Sequence, residues 1–215
     1  MIRVVVVDDE ALVRSGFELI LGAASDIQVV AAVDGDVAVD TIRRERPDVV
    51  LLDIRMPGRS GLDILADLRH DDLRPVIGIL TTFDTDEYIA RALHDGASGF
   101  LVKDTAPEHL AAMVRTLAAG GVVLSPQVSR TLVDGYTGTP DRDAVRRIAL
   151  LTDRERDVLS RLPTGESNAE IGRRLHLSGA TVKDHVSAIL SKLSVSTRLE
   201  AALISERARP GRRRT

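Results

Sequence analysis

A chain of 215 residues with 44% hydrophobic content suits one large domain or two small ones and can bury real cores. It has no cysteine, which excludes disulfides and thiolate metal centres. No apolar run approaches the roughly 20 residues of a membrane span, and the start Ile2-Arg3-Val4-Val5-Val6-Val7 lacks the parts of a signal peptide, so a cytoplasmic protein without membrane contact is expected.

The net charge of -3 is unevenly divided. Residues 1–130 carry 13 Lys+Arg against 21 Asp+Glu, and residues 131–215 carry 16 against 11. An acidic front and a basic rear suggest two domains with different partners, the rear one facing a polyanion. Arg212-Arg213-Arg214 inflate the rear count. Of 29 basic residues only Lys103, Lys183 and Lys192 are lysines, which singles out three positions for an ammonium.

In chain order, short β-branched runs recur at Val4–Val7, Gln28–Val33, Val49–Leu52, Val76–Leu80 and Gly99–Val102. Helical periodicity fills about 11–22, 35–45, 61–70, 84–95 and 107–119. Strands alternating with helices of that length predict βαβ units and a parallel sheet. The strands are continuous apolar runs, as required when helices cover both faces. The fold expected is a doubly wound, five-stranded α/β sheet of flavodoxin-like type, whose ligands bind at the carboxyl ends of the strands.

Those ends are polar. Strand one ends in Asp8-Asp9, strand three in Asp53, strand four in Thr81-Thr82 and strand five at Lys103. A lone Asp there is most simply a helix cap or loop residue; five such groups at strand ends are hard to ascribe to coincidence. Three carboxylates packed together repel unless a cation sits among them. Oxygen ligands without His or Cys suit a hard ion such as Mg²⁺ or another divalent cation. A carboxylate can also attack phosphorus and form an aspartyl-phosphate, with Mg²⁺ and a lysine neutralising the transferring group.

These residues carry a resemblance. Asp8-Asp9, Asp53 followed by Met56-Pro57-Gly58, Thr81, and the run Gly96 to Lys103 resemble the receiver domain of two-component response regulators over roughly residues 1–120. The resemblance implies that Asp53 accepts phosphate from a sensor histidine kinase. It implies that Asp9 and Asp53 ligate Mg²⁺, with Asp8 near it through water and the Arg55 carbonyl as a further ligand. Thr81 would turn toward the phosphoryl oxygen, Phe100 would be the aromatic that swings inward with it, and Lys103 would pair with the phosphate. Asp48, Asp63, His70, His94 and His109 are read as surface residues. Asp104 could cap the last helix, and Phe83 and Tyr88 are open between core and an exposed face.

Periodicity lapses over 125–147, where Tyr136-Thr137-Gly138-Thr139-Pro140 is rich in turn formers. The domains expected are therefore 1–124, a linker 125–147, a helical domain 148–207, and a basic tail 208–215 read as disordered. Within the third, Thr152-Asp153-Arg154-Glu155 spells a capping box, opening a helix that ends near Leu162. Ser167 or Asn168 caps a short helix through Leu175, the turn Leu177-Ser178-Gly179 leads into a longer one to Leu193, and a fourth spans about Thr197 to Arg207. A short helix turning into a longer one is helix-turn-helix grammar, which many unrelated helical pairs share. The segments Leu151–Leu159, Asn168-Ala169-Glu170-Ile171-Gly172 and Thr181–Val186 add more, because together they resemble the LuxR-type DNA-binding domain. Receiver plus this domain is the layout of NarL/FixJ-type response regulators. It implies a transcription regulator, homodimeric on activation, whose third helix enters the major groove of double-stranded promoter DNA, with RNA polymerase as a further partner.

At about 100° per residue, Val182, Val186, Ile189, Leu190 and Leu193 form the core stripe of that helix. Ala180, Asp184, Ser187, Ala188 and Ser191 point away, and Lys183 and Lys192 flank them. The outward face is small and carries an acid where groove readers more often carry Arg, Lys, Asn or Gln. Lys183, Asp184, Ser187 and Ala180 are the candidate groove residues. Arg173, Arg174, Lys192 and Arg198 are candidate phosphate contacts. Two other classes compete with a phosphorylation-switched regulator. A Mg²⁺-dependent phosphatase would need a second acid near the nucleophile, where Arg55 stands, and a substrate cap for which there is little room. A phosphate-independent regulator would have no need of the full Asp8, Asp9, Asp53, Thr81, Lys103 set. A non-enzymatic regulator is expected.

Overall fold

The computed structural model describes residues 1–69, 71, 75–81, 86–103, 105–125, 128 and 141–208. The readings of His70, Thr82, Phe83, Asp104, most of the linker and the Arg-rich tail lie outside the described residues. The chain divides into two compact units, Met1–Ala118 with Val123–Ser125 and Ala119–Val122 with Pro126–Thr215.

The front unit alternates strictly. Its elements are β1 Ile2–Val7, α1 Ala11–Gly22, β2 Ile27–Val33, α2 Ala38–Glu45, β3 Val49–Asp53, α3 Gly61–Leu68, β4 Val76–Thr81, α4 Asp86–His94, β5 Gly99–Val102 and α5 Pro107–Ala118. The strands form one parallel sheet in the order β2-β1-β3-β4-β5. Val4 to Val7 and Val49 to Leu52 are fully buried because β1 and β3 are interior strands with helices on both faces. Edge strand β2 is mostly half-buried. On one face Val4, Val6, Val49, Leu51, Leu80 and Leu101 meet Phe17 and Leu21 of α1 and Leu110, Val114 and Leu117 of α5. Each such buried side chain contributes about 1.5–3 kcal/mol. The reversal of strand order between β1 and β3 opens a crevice at the carboxyl ends, and the polar rim lies there.

The rear unit is helical among its described residues. The four expected helices are present as α7 Asp153–Leu159, α8 Asn168–Leu175, α9 Gly179–Leu193 and α10 Arg198–Ala208, with a 3₁₀ turn at Leu162–Thr164. A further helix, α6 Arg142–Ala149, precedes them. The linker therefore ends earlier than 147. Asp141 caps α6 by accepting the Asp143 N–H at 2.9 Å, Ala144 is buried, and Ile148 packs on the same core as Leu151, Val158, Ile171 and Val186. Arg147 from α6 donates to the Leu193 carbonyl at 3.2 Å, covering an orphan acceptor at the end of α9.

Local chemistry sets the helix starts. Thr152 and Glu155 form a reciprocal capping box, as expected, and Ser167 with Glu170 forms a second. Between α8 and α9, His176 adopts a left-handed φ of 56° while the Leu177 N–H bonds the Gly172 carbonyl at 2.8 Å. A Cβ on Gly172 would stand 2.6 Å from the Leu177 carbonyl oxygen, so the turn closes only over glycine.

Candidate functional site

Three strand ends bring Asp8, Asp9 and Asp53 together. Each offers a carboxylate oxygen, and these oxygens lie within 4.8 Å of one another. Asp8 is fully buried and Asp53 nearly so, while Asp9 is exposed. Lys103, at the end of β5, places its ammonium 2.7 Å from Asp8 Oδ2 and 2.9 Å from Asp53 Oδ2. The turn after β3 returns the Arg55 N–H to Asp53 Oδ1 at 3.3 Å, and the turn after β1 returns the Glu10 N–H to Asp8 Oδ1 at 2.9 Å.

The charges do not cancel, since three acids face one lysine. Burial raises the Asp53 carboxyl above its ordinary range, against the lowering pull of Lys103. Burial likewise opposes the Lys103 charge, but Asp8 and Asp53 outweigh it and hold the ammonium above its usual range. Thr81 is buried on β4, and its Oγ1 and Asp8 Oδ2 have no aligned hydrogen bond. Asp8 Oδ2 keeps the Lys103 ammonium as its ion-pair partner, whereas the buried Thr81 hydroxyl has none, and a buried polar atom without a partner is costly. Clustered oxygen ligands and negative charge that one ammonium does not cancel fit a hard divalent cation at the Asp8, Asp9 and Asp53 cluster.

The other receiver residues fall as follows. Arg55 is exposed, with its guanidinium over the Tyr88 ring, 5.8 Å from the centroid, a cation–π contact. Tyr88 thus belongs to the exposed face and not to the core. Phe100, expected to swing inward, is already fully buried; a ring without a hydroxyl has nothing to hold it in water. Asp48 and Asp63 are exposed but engaged, accepting from the Arg3 N–H and from the Ser60 hydroxyl. His94 and His109 are exposed as expected.

Two positions escaped sequence reasoning. Gly61 opens α3 directly behind the acceptor, where a Cβ would lie 2.0 Å from the Asp53 carbonyl oxygen. Arg14 of α1 donates to the carbonyls of both Asp8 and Asp9, at 2.6 and 3.0 Å. Neither has a sequence signal beyond residue type, because both act on main-chain atoms.

In the rear unit, α9 turns Val182, Val186, Ile189 and Leu193 into the core, with Leu190 partly buried against it, and leaves Ala180, Lys183, Asp184, Ser187 and Ser191 exposed; Ala188, expected to point away, is half-buried. Ser187 Oγ is engaged with the Lys183 carbonyl at 3.1 Å. Arg173 is exposed. Arg174 is exposed but paired with Glu166 at 2.9 Å.

Two of the expected phosphate contacts are engaged within the fold, Lys192 while still exposed and Arg198 while buried. The Lys192 ammonium sits on both Glu155 oxygens, at 2.8 and 2.7 Å. Glu155 is buried by its capping duty, and Lys192 together with the Thr152 N–H holds its carboxyl below the usual range, so it keeps the cation it needs. Arg198 is only 9% exposed, and its guanidinium donates to the Asn168 side chain at 2.8 Å and to the Glu166 carbonyl. Burial draws it down to about 10, so it stays charged at neutral pH but faces inward. Arg154 on the Leu175 carbonyl and Arg156 on the Leu151 carbonyl are also committed internally. The basic surplus of the rear half thus serves the fold as well as a partner.

A parallel sheet with this acidic rim, carried on one chain with a helix-turn-helix unit, defines a receiver coupled to a DNA-binding domain. Residues 4–115 match the response regulator receiver domain, and residues 149–205 match the bacterial regulatory proteins of the luxR family. The chain belongs to the NarL/FixJ-type response regulators, a family of DNA-binding transcriptional regulators. It is 35% identical over 214 residues to the transcriptional regulatory protein LnrK of Bacillus subtilis (strain 168), covering 96% of this chain and 97% of that protein. It is 38% identical over 203 residues to the nitrate/nitrite response regulator protein NarP of Escherichia coli (strain K12), covering 94% and 93%. Among solved structures it resembles the response regulator ChrA of a heme-sensing two-component system, with a TM-score of 0.52, 34% identity and coverage of 95% and 96%. No described helix is long and apolar enough to cross a membrane.

Proposed function

We propose that this regulator is switched by phosphorylation of Asp53, with a sensor histidine kinase as donor and Mg²⁺ held by Asp9 and Asp53, by Asp8 through water, and by the Arg55 carbonyl. The observation that carries the reading is the cluster of three carboxylates within 4.8 Å, with Lys103 among them. One Asp53 oxygen attacks phosphorus as the donor's bond breaks, and the leaving group keeps the bonding electrons. The cation supplies charge neutralisation at the transferring oxygens. Lys103 is poised to exchange a carboxylate partner for a phosphoryl oxygen, and the unpartnered Thr81 hydroxyl offers that group a hydrogen bond. The added charge, about two negative units, biases the protein toward dimerisation and altered promoter binding.

Incubation with acetyl phosphate and Mg²⁺ is expected to add one phosphoryl mass to the wild type and none to Asp53→Ala or to a sample in EDTA. A phosphorylated Asp53→Ala variant overturns the assignment.

For the rear domain, the exposed face of α9 supports groove reading by Lys183 and Asp184, with Ala180 and Ser187 allowing close approach and Arg173 and Arg174 on the phosphates. Loss of a base contact in Lys183→Ala costs about 1–3 kcal/mol at one base pair, whereas loss of a phosphate contact weakens all sites alike and lowers the salt slope by about one. Asp184 acts by discrimination, repelling the backbone at wrong sites or accepting from cytosine N4. Asp184→Ala is therefore expected to bind random duplex more tightly and to narrow the gap to the specific site. Titration of both duplexes at one salt concentration reads this, and an unchanged ratio rejects it.

A further inference from the structure

We propose that Arg14 is a positioning residue that aims Asp9 at the divalent cation by locking the main chain of the Asp8–Asp9 pair. The inference rests on the phosphoacceptor reading above and concerns how that site is held.

Direct bonds hold two of the three carboxylates. Asp8 accepts from the Glu10 N–H and pairs with Lys103, and Asp53 accepts from Lys103 and from the Arg55 N–H. Asp9 differs. It is exposed, and among the described residues no hydrogen bond or ion pair reaches its carboxylate. Its direction is set by its backbone alone.

One local bond restrains that backbone, the Asx turn in which Asp8 Oδ1 accepts the Glu10 N–H. Glu10 stands at the N-cap of α1 without a side-chain cap bond, and the first turn of the helix holds no acid. Neither the turn nor the cap engages the carbonyls on either side of Asp9, and Arg14 does. From the first turn of α1 one guanidinium nitrogen, Nη1, donates to the carbonyls of Asp8 and Asp9 at 2.6 and 3.0 Å, and Arg14 is itself half-buried. Fixing two successive carbonyls fixes the two peptide planes around Asp9, and hence the direction of its Cα–Cβ bond. Charge-assisted bonds of this kind are about twice as strong as neutral ones. An arginine is suited to the task, because its planar head is pre-organised and never loses its charge.

A group that orients a metal ligand typically contributes 10–100-fold to metal affinity. Mg²⁺ titration of full-length protein, followed by backbone amide shifts, should therefore show about 10-fold weaker binding for Arg14→Met than for the wild type. Arg14→Lys, whose ammonium is a point charge on a shorter stem, should fall between them. Thermal unfolding in EDTA reads the structural cost of losing the part-buried bonds by itself, and the further upward shift of the unfolding midpoint with added Mg²⁺ should shrink. Wild-type Mg²⁺ affinity in Arg14→Met overturns the proposal. If Arg14→Met does not fold, wild-type affinity in Arg14→Lys overturns it equally. A wild type that accepts phosphate with Mg²⁺ while Arg14→Met binds the ion normally removes this inference alone; a wild type that binds no Mg²⁺ removes the underlying site as well.

Discussion

Lys103→Met is expected to destabilise the receiver by about 3–5 kcal/mol at neutral pH without Mg²⁺, as when one partner of a buried ion pair is removed. The resemblance implied a lysine that pairs with the phosphate. The structure gives it two resting partners, Asp8 and Asp53, with side chains 0% and 6% exposed. Without the ammonium these carboxylates face each other in a buried site. The deficit should depend on pH in a defined direction. Burial raises the Asp53 carboxyl in the folded state above its ordinary value, so the folded state binds the proton more readily than the unfolded chain. Stability from this group is greatest when it is protonated and is lost as pH rises through the raised value. The Lys103→Met deficit should therefore shrink on acidification from neutrality, and Mg²⁺ should recover part of it at pH 7. Urea unfolding across pH, with and without Mg²⁺, checks this. A deficit that grows on acidification contradicts the account. Phosphate-dependent dimerisation and DNA binding should be lost in the same variant, and normal switching in it would reject the proposed role of Lys103.

Gly61→Ala should be almost as damaging, though it removes no functional group. The added Cβ would lie 2.0 Å from the Asp53 carbonyl oxygen, 2.9 Å from its carbon and 3.0 Å from the Ile54 Cα. All three are main-chain atoms of the acceptor strand and its turn, so none can yield by a rotamer change. Overpacking of this kind costs about 1–3 kcal/mol, occasionally more. If the end of β3 retreats on the order of 1 Å, transfer to Asp53 slows by about 100-fold. The unfolding midpoint in urea and the rate of mass gain from acetyl phosphate should fall together. A variant with reduced stability but a normal phosphorylation rate would show that α3 moves instead of the acceptor.

The receiver was largely legible in the amino-acid order. Continuous apolar runs such as Val4–Val7 and Val49–Leu52 fit only strands covered on both faces, and a parallel sheet of such strands collects its polar ends on one rim. Asp8, Asp9, Asp53, Thr81 and Lys103 could thus be placed from periodicity alone. The wheel of α9 was legible for the same reason, since Val182, Val186, Ile189 and Leu193 repeat at helical spacing. Helix α6 was not. Its apolar residues Ala144, Val145, Ile148 and Ala149 do fall on one helical face, but eight residues are only about two turns, and the turn-rich segment before them extended the linker.

What the sequence determined by itself is therefore periodic or local. It set strand and helix order, the rim on which charge gathers, the capping boxes of α7 and α8, and the face that α9 shows to solvent. Tertiary structure decided what each long cationic side chain touches. Lys192 and Arg198 read as free charges along the chain, yet one is spent on a buried glutamate and the other on the Asn168 amide and the Glu166 carbonyl. Arg14 reads as an ordinary helix residue, yet it grips the backbone beneath two aspartates. The physical reason is common to all three. An arginine or lysine reaches several ångströms from its Cα, and the carbonyls or buried carboxylates it meets there come from segments that only the fold brings near.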